Sequence, residues 1–429
     1  VRMRSQHLWL VGALLLAALG QQALAQKKVL FLLADVNNQE KYSTFLDSLR
    51  SHGFTIDVKA YKDSSLSLKD YDTWHYDHLA LFCPKAEGFG GNMDLNAILE
   101  FIDSGRNVLL AANSGVSDTM RALAAEVGVE FDEKGTKVFD HFNYAKRTDQ
   151  AADHTLIAAT DAVNSKAMLP NGVKGPVLFK GVAATVPADS ELVTVALSAP
   201  ATAYSHDPRK AMLEPPALMA GSAISLVSLV QARNNARVLV AGSVEMFQNG
   251  AMDAPLEGGA KSANRDFVVS VARWVLQDQG VIKAENLRHR LLTEPEGSNP
   301  WGYRVMDDVE FAVDVFEYEG GNKKPYSADD IQVEFTMLDP HVRLPLEHNG
   351  KGTYSVRFKV PDVYGVFKYV VHYMHRGYSY IELTQQVPVR PFKHNEYERF
   401  LVCAYPYYAS ALSGMIAFFA LGWFYLYHK

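Results

Sequence analysis

The most constraining feature of this chain is its last apolar run: Tyr407 to Tyr427 reads YYASALSGMIAFFALGWFYLY without one charged residue, and only His428 and Lys429 follow. About 20 apolar residues at 1.5 Å rise cross a hydrocarbon core of roughly 30 Å. A single spanning helix is expected over 407–427. A second apolar segment lies at the other end, where Arg2 and Arg4 precede Leu8 to Leu19 and Ala23-Leu24-Ala25 supplies a small-x-small cleavage pattern. It is too short to span, so residues 1–25 read as a cleaved secretory signal. The topology is then type I, with residues 428–429 a cytosolic stub and the body of the chain translocated. Whatever the chain does is expected in the lumen or within the bilayer.

Roughly 380 residues between these segments predict two or three luminal domains. The formal charge of −6, with signs intermixed, leaves no basic footprint for nucleic acid. Of the two cysteines, Cys403 adjoins the span and Cys83 follows the apolar stretch Leu79 to Phe82, so no disulfide is expected and stability must come from cores. No Asn-x-Ser/Thr sequon occurs.

From Lys28 onward, short continuous apolar runs (29–34, 54–60, 79–82, 108–112) alternate with helical stretches (about 40–51, 94–103, 118–127). Ser117 is a candidate N-cap and Gly128 a C-terminal stop. Strands apolar on both faces predict a parallel sheet covered by helices on both sides, a large doubly wound α/β (Rossmann-like) domain over 26–280. The segment from His141 to Met219 is broken by prolines and resists parsing. Order returns with RVLVAG (237–242) and a helix over 264–279.

After Val281 the period becomes strict alternation. Val309, Phe311, Val313 and Val315 share a face opposite Glu310 and Asp314, and Tyr354 to Val360 alternates likewise. Turn clusters at 348–350 and 376–377 separate the runs, so an all-β sandwich is expected over 281–390, followed by a juxtamembrane linker over 391–406.

Candidate sites for chemistry fail on the residues themselves. Gly88-Phe89-Gly90-Gly91 lies between a strand and a helix, yet Met93 stands where the third glycine of a dinucleotide fingerprint belongs, so a structural turn is expected. Cys83 lacks the flanking glycines of a nucleophile elbow, because Leu81 and Lys85 occupy those positions, and it reads as a core thiol. His372 and His375 point to opposite faces of a strand. His75 and His78 lie in the loop WHYDH without a third ligand. Asp35, at the strand edge where open α/β sheets bind ligands, has no base or nucleophile around it. No catalytic, cofactor or metal residue is assigned.

The membrane helix carries a usable pattern. Ala409, Ser413 and Ala417 fall at i, i+4 and i+8, with Ser410 and Gly414 on the adjoining strip, and small residues on one side let another helix approach closely. Aromatics at both ends already serve as interfacial anchors.

Several strings resemble a known family: QARNNA (231–236) leading into RVLVAGS, DIQVEF (330–335), PDVYGVF (361–367) and, above all, YERFLVCAYPYYAS (397–410). They resemble the 48 kDa subunit of the eukaryotic oligosaccharyltransferase complex, in the same order along the whole mature chain. The resemblance implies an endoplasmic reticulum membrane protein in the complex that transfers a preassembled glycan from dolichyl diphosphate to asparagine in Asn-x-Ser/Thr. It also implies that catalysis belongs to a separate multi-spanning subunit, that this subunit serves assembly, and that nascent glycoprotein and lipid-linked glycan are met indirectly. Animal members of the family commonly carry a lysine-rich cytosolic tail, whereas the sequence in hand stops at Lys429. Two further readings stand beside the scaffold. One is a luminal glycan- or acceptor-binding module using the cleft near Asp35 or the aromatics Tyr364, Tyr369 and Tyr378; the other is an independent luminal hydrolase, which no residue encourages.

Overall fold

The apolar runs of the first half become neighbours in one sheet in the computed structural model, which describes residues 27–148, 152–210, 219–257, 259 and 261–428. The signal segment over 1–25 lies outside the described residues. Strands β1 (Lys28–Leu33), β2 (Thr55–Ala60), β3 (His78–Phe82) and β4 (Asn107–Ala111) are joined by β5 (Glu130–Phe131), β6 (Ala184–Thr185), β7 (Val193–Ser198), β8 (Ser225–Gln231) and β9 (Arg237–Ala241). Among the described residues the order is β2-β1-β3-β4-β9-β8-β6-β5, with β7 also on β8. Pairing is parallel from β2 through β9, as the two-faced apolar strands predict. Beyond β9 it turns antiparallel, which the sequence reading did not anticipate.

Each parallel strand serves two cores because successive side chains point to opposite faces. Val29, Phe31 and Leu33 face one core with helices α1 (Ser43–Ser51) and α4 (Asn264–Val275). Leu30 and Leu32 face the other with α2 (Leu95–Asp103) and α3 (Asp118–Glu126). The caps follow the sequence signals: Asp94 accepts from Ala97 N at 2.7 Å, Ser117 accepts from Met120 N, and Gly128 turns the chain at φ +85°. The proline-broken middle is not idle. Ile157, Val177 and Phe179 from a short antiparallel ribbon are fully buried in the first core.

The alternating runs build a sandwich. One sheet contains β10 (Val281–Leu291), β12 (Asp308–Glu319), β13 (Asn322–Pro325), β16 (Glu347–His348) and β17 (Thr353–Lys359), with β12 at its centre. The other runs in order β11 (Tyr303–Arg304), β19 (Ile381–Arg390), β18 (Gly365–Tyr373), β14 (Gln332–Thr336) and β15 (Pro340–Pro345). Phe311, Tyr354, Phe335, Phe367 and Tyr369 fill the space between them. After β19 the segment over 391–404 leads into α5 (Tyr405–Tyr427), which begins slightly before the apolar run itself and has no buried residue. Among the described residues this is the one helix long and apolar enough to cross a membrane.

Candidate functional site

The carboxyl edge of the parallel strands is where an open α/β sheet would hold a ligand, and its candidate residues are engaged in holding the fold. The Asp35 carboxylate accepts Asn37 N at 3.0 Å and caps a 3-10 turn, Val36–Tyr42. Cys83 is fully buried, and burial pushes its thiol up to about 12, far from a reactive thiolate. Cys403 is exposed and neither cysteine is bridged. The Gly-rich loop closes on the chain's own backbone: Gly90 N donates to Tyr61 O at 2.8 Å. A Cβ at Gly90 would lie 2.3 Å from Asp63 O, and one at Gly91 2.0 Å from Leu66 O. Those glycines admit a neighbouring loop, and Met93 sits buried beneath it.

The histidines are likewise dispersed. His75 pairs with Asp70 at 2.9 Å. His78 is not in a loop, as the sequence reading had it, but is the buried first residue of β3, where its Nδ1 meets Asn107 Nδ2 at 3.0 Å. Among the described residues no group of three His, Cys, Asp or Glu is placed to share a metal ion. The three tyrosines weighed for sugar stacking also separate. Tyr369 is buried in the sandwich core and Tyr378 packs edge-on against Tyr326, leaving Tyr364 exposed by itself.

The small residues of α5 stand free of the rest of the chain. Ser410 and Ser413 each donate their hydroxyl to a carbonyl one turn back, at 2.9 Å to Tyr407 O and Ser410 O. A Cβ at Gly414 would meet nothing within 4 Å. The strip is therefore smooth and internally satisfied, which suits close approach of a second helix.

The site that sequence reasoning missed is the joint between the α/β domain and the sandwich. Arg237 opens β9 and is fully buried, with its guanidinium 4.4 Å from the Trp274 ring. It donates to Trp274 O at 2.7 Å, Gln279 O at 2.9 Å and Gly280 O at 2.5 Å, carbonyls at and just beyond the end of α4, of which Trp274 O and Gly280 O also accept Gln277 N and Ser379 N. Burial pulls its pKa down to about 9, still above physiological pH. Around it the β18–β19 turn of the sandwich plugs into the α/β domain. Trp274 Nε1 donates to Gly377 O at 2.6 Å, Gln231 Nε2 to Tyr378 O at 2.6 Å, and Tyr380 N to Asn235 Oδ1 at 2.6 Å. Gly280 and Gly377 approach so closely that a Cβ at Gly280 would lie 2.7 Å from Gly377 O. Gln231 and Asn235 belong to the QARNNA string, so its distinctive residues fasten one domain to the other. The signal was present as a charged residue opening an apolar strand.

The matches to known proteins follow the same two-domain division. A family model described as OST48, N-terminal domain, matches residues 21–278, and one described as OST48 middle domain matches 289–429. Relatives named dolichyl-diphosphooligosaccharide–protein glycosyltransferase 48 kDa subunit align over nearly their full length. The one from Arabidopsis thaliana is 43% identical over 411 residues, covering 94% of this chain and 93% of its own. Those from Caenorhabditis elegans and Danio rerio are 38% and 40% identical, covering 98% and 95% of this chain and 96% and 93% of theirs. A solved ThuA-like protein from Parabacteroides merdae overlaps 58% of this chain and 89% of its own at TM-score 0.32 and 13% identity, too distant to weigh. With both domain models matched in order and relatives of one name in a plant, a nematode and a fish, the chain belongs to the OST48 family, the 48 kDa subunit of dolichyl-diphosphooligosaccharide–protein glycosyltransferase.

Proposed function

We propose that this chain is a noncatalytic, assembly-supporting subunit of the oligosaccharyltransferase complex, in which a preassembled glycan passes from dolichyl diphosphate to asparagine of nascent proteins. The observation that carries the reading is the match over nearly full length to relatives named as that subunit. Support for a scaffold comes from the places where chemistry would be staged. Asp35 caps a turn, the Gly-rich loop is filled by backbone, and the Cys83 thiol is buried and held protonated. The buried effort of the fold goes instead into Arg237 and the joint, which fixes one luminal domain on the other. The chain sits in the endoplasmic reticulum membrane as a type I protein, with α5 packing among the helices of other subunits, including the multi-spanning catalytic one.

The test is a mild-detergent purification of the tagged full chain, with mass spectrometry of the assembly and a glycan-transfer assay on an Asn-x-Thr peptide. Transfer by the co-purified assembly and none by the chain alone is the expected result. Turnover by the chain alone would overturn the noncatalytic reading.

A further inference from the structure

The sandwich has two unlike ends. One end is the joint, where the β18–β19 turn enters the α/β domain. The opposite end is where β19 finishes at Arg390 and the chain leaves for α5. Register brings the other loops of the sandwich to this same end: Gly365 pairs with Val389, Thr336 with Lys368, and Asp308 with Lys359. Val305 N donates to Arg390 O and Met306 N to Val360 O, which ties the loops of the two sheets together there.

Of the large apolar side chains that the sandwich exposes, all but Met374 gather at this end: Leu292, Trp301, Met306, Leu338, Tyr364 and Val366. Trp301 is 89% and Leu338 92% exposed, values at which neither contributes to the core. Soluble surfaces seldom concentrate such side chains without a partner.

We infer that this end of the sandwich rests in the headgroup region of the same bilayer that α5 spans, with Trp301, Leu338 and Tyr364 as its contacts. The tether decides the occupant. Arg390 holds Glu396 by paired bonds of 2.7 and 2.9 Å, and Phe392 packs on the sandwich under the Arg304 guanidinium at 5.1 Å. The linker is thus fastened to the sandwich as far as Glu396. From there to Tyr405 the chain can reach no farther than about 30 Å fully extended. The intervening Tyr397, Phe400, Leu401 and Val402 are exposed apolar residues that descend toward the span. Trp and Tyr favour the membrane–water interface because an apolar ring and a polar edge are both satisfied there.

Charge separates this from an electrostatic contact. Arg304 and Lys359 at this end pair with Asp307 and Asp308, and Arg390 with Glu396. Glu294, Glu296, Asp339 and Asp362 lie in the same loops. No basic excess remains to seek anionic lipid, so the contact is shallow, apolar and indifferent to salt.

The inference rests on α5 being a span, and the chain's tryptophans test the two separately. The full chain is placed in nanodiscs of phosphatidylcholine and of phosphatidylcholine brominated near the headgroup end of its acyl chains, and tryptophan quenching is compared. W423F is expected to stay partly quenched, to the same degree at low and high sodium chloride, and W301F/W423F to lose the quenching. W301F alone reports Trp423; if it too is unquenched, the span reading has failed. An unquenched W423F whose W301F counterpart remains quenched would overturn the inference. In that case a blue-shifted Trp301 emission in the assembled complex would assign the patch to a protein partner instead.

Discussion

At the scale of single residues, burial sets what the titratable groups can do. Cys83 and Cys403 are the only two thiols in the chain, and they differ completely in environment. Because Cys83 is buried and its thiol is pushed up to about 12, a maleimide should modify Cys403 alone in the native chain and both after denaturation. Rapid native labelling of Cys83, read by mass spectrometry, would contradict the core placement. His78 gives a prediction of opposite kind. Burial first, then the charges of Lys27 and Arg106, hold it down to about 3, whereas the unfolded chain takes up that proton near pH 6.5. A base with a depressed folded pKa leaves stability intact above the unfolded pKa and removes it as pH falls. Between pH 6.5 and about 3 the loss should be at most about 1.4 kcal/mol per unit from this residue. Burial lowers His52 and His289 too, which adds in the same direction. Thermal unfolding at pH 7 and pH 5.5 should show a shallower pH dependence for His78→Gln than for the parent chain; equal slopes would mean that His78 is not held neutral.

At the scale of elements, α5 makes the cleanest experiment because nothing of its own chain touches the small-residue strip. Ser413→Leu with Gly414→Leu adds bulk to a helix without buried residues, where a Cβ at Gly414 meets nothing within 4 Å, and gives up the Ser413 hydroxyl bond to Ser410 O. If another subunit's helix packs there, about 1–2 kcal/mol of association is at stake, enough to reduce co-purification roughly five- to thirtyfold. Unchanged recovery of partners would exclude that face. Elements also mark what the sequence could and could not reveal. Strands such as Val29 to Leu33 and β12 were legible because burial on two faces or one imprints continuous or alternating apolar patterns directly. The antiparallel extension beyond β9 was not, since β8 is buried on both faces like its parallel neighbours, with Ser225, Ser228 and Gln231 breaking its apolar run, and nothing local states its direction. The ribbon carrying Phe179 was hidden by prolines that interrupt periodicity without preventing burial. The polarity of WHYDH gives His78 the look of a loop residue, because its partner Asn107 is supplied by the next strand. The Gly-rich loop was legible in part: the missing third glycine at Met93 was visible, while the Asp63 and Leu66 carbonyls that fill the loop were not.

At the scale of the whole molecule, two fastenings turn separate modules into a stack. The lower one ties the linker to the sandwich through Arg390, Glu396 and Phe392; the upper one is the joint around Arg237. The upper one depends on partners that sequence order keeps apart, because carbonyls at 274–280, a turn at 376–380 and the side chains of Gln231 and Asn235 meet only in the fold. This is why Arg237, visible in the sequence, could not be assigned a role from it. Its guanidinium matches three carbonyls in a fork that an ammonium cannot reproduce. Arg237→Leu should therefore cost about 1–3 kcal/mol, since it leaves the buried Gln279 O without its donor and takes one of two donors from Trp274 O and Gly280 O, and Arg237→Lys should recover only part of it. Gly280→Ala tests the same joint without touching charge. Gly280 sits at φ +64°, and its new methyl would press on Gly377 O and, at 3.0 Å, on Trp274 Cδ1, so about 1–3 kcal/mol of destabilisation is expected. The decisive readout is cooperativity. The parent chain should unfold its two domains together and resist proteolysis between 276 and 282, whereas Gly280→Ala should resolve two transitions and open that segment to cleavage. Should both variants unfold in a single step with the parent's protease pattern, the joint would be a passive contact, and something other than Arg237 and its carbonyls would have to set the orientation of the α/β domain on the sandwich.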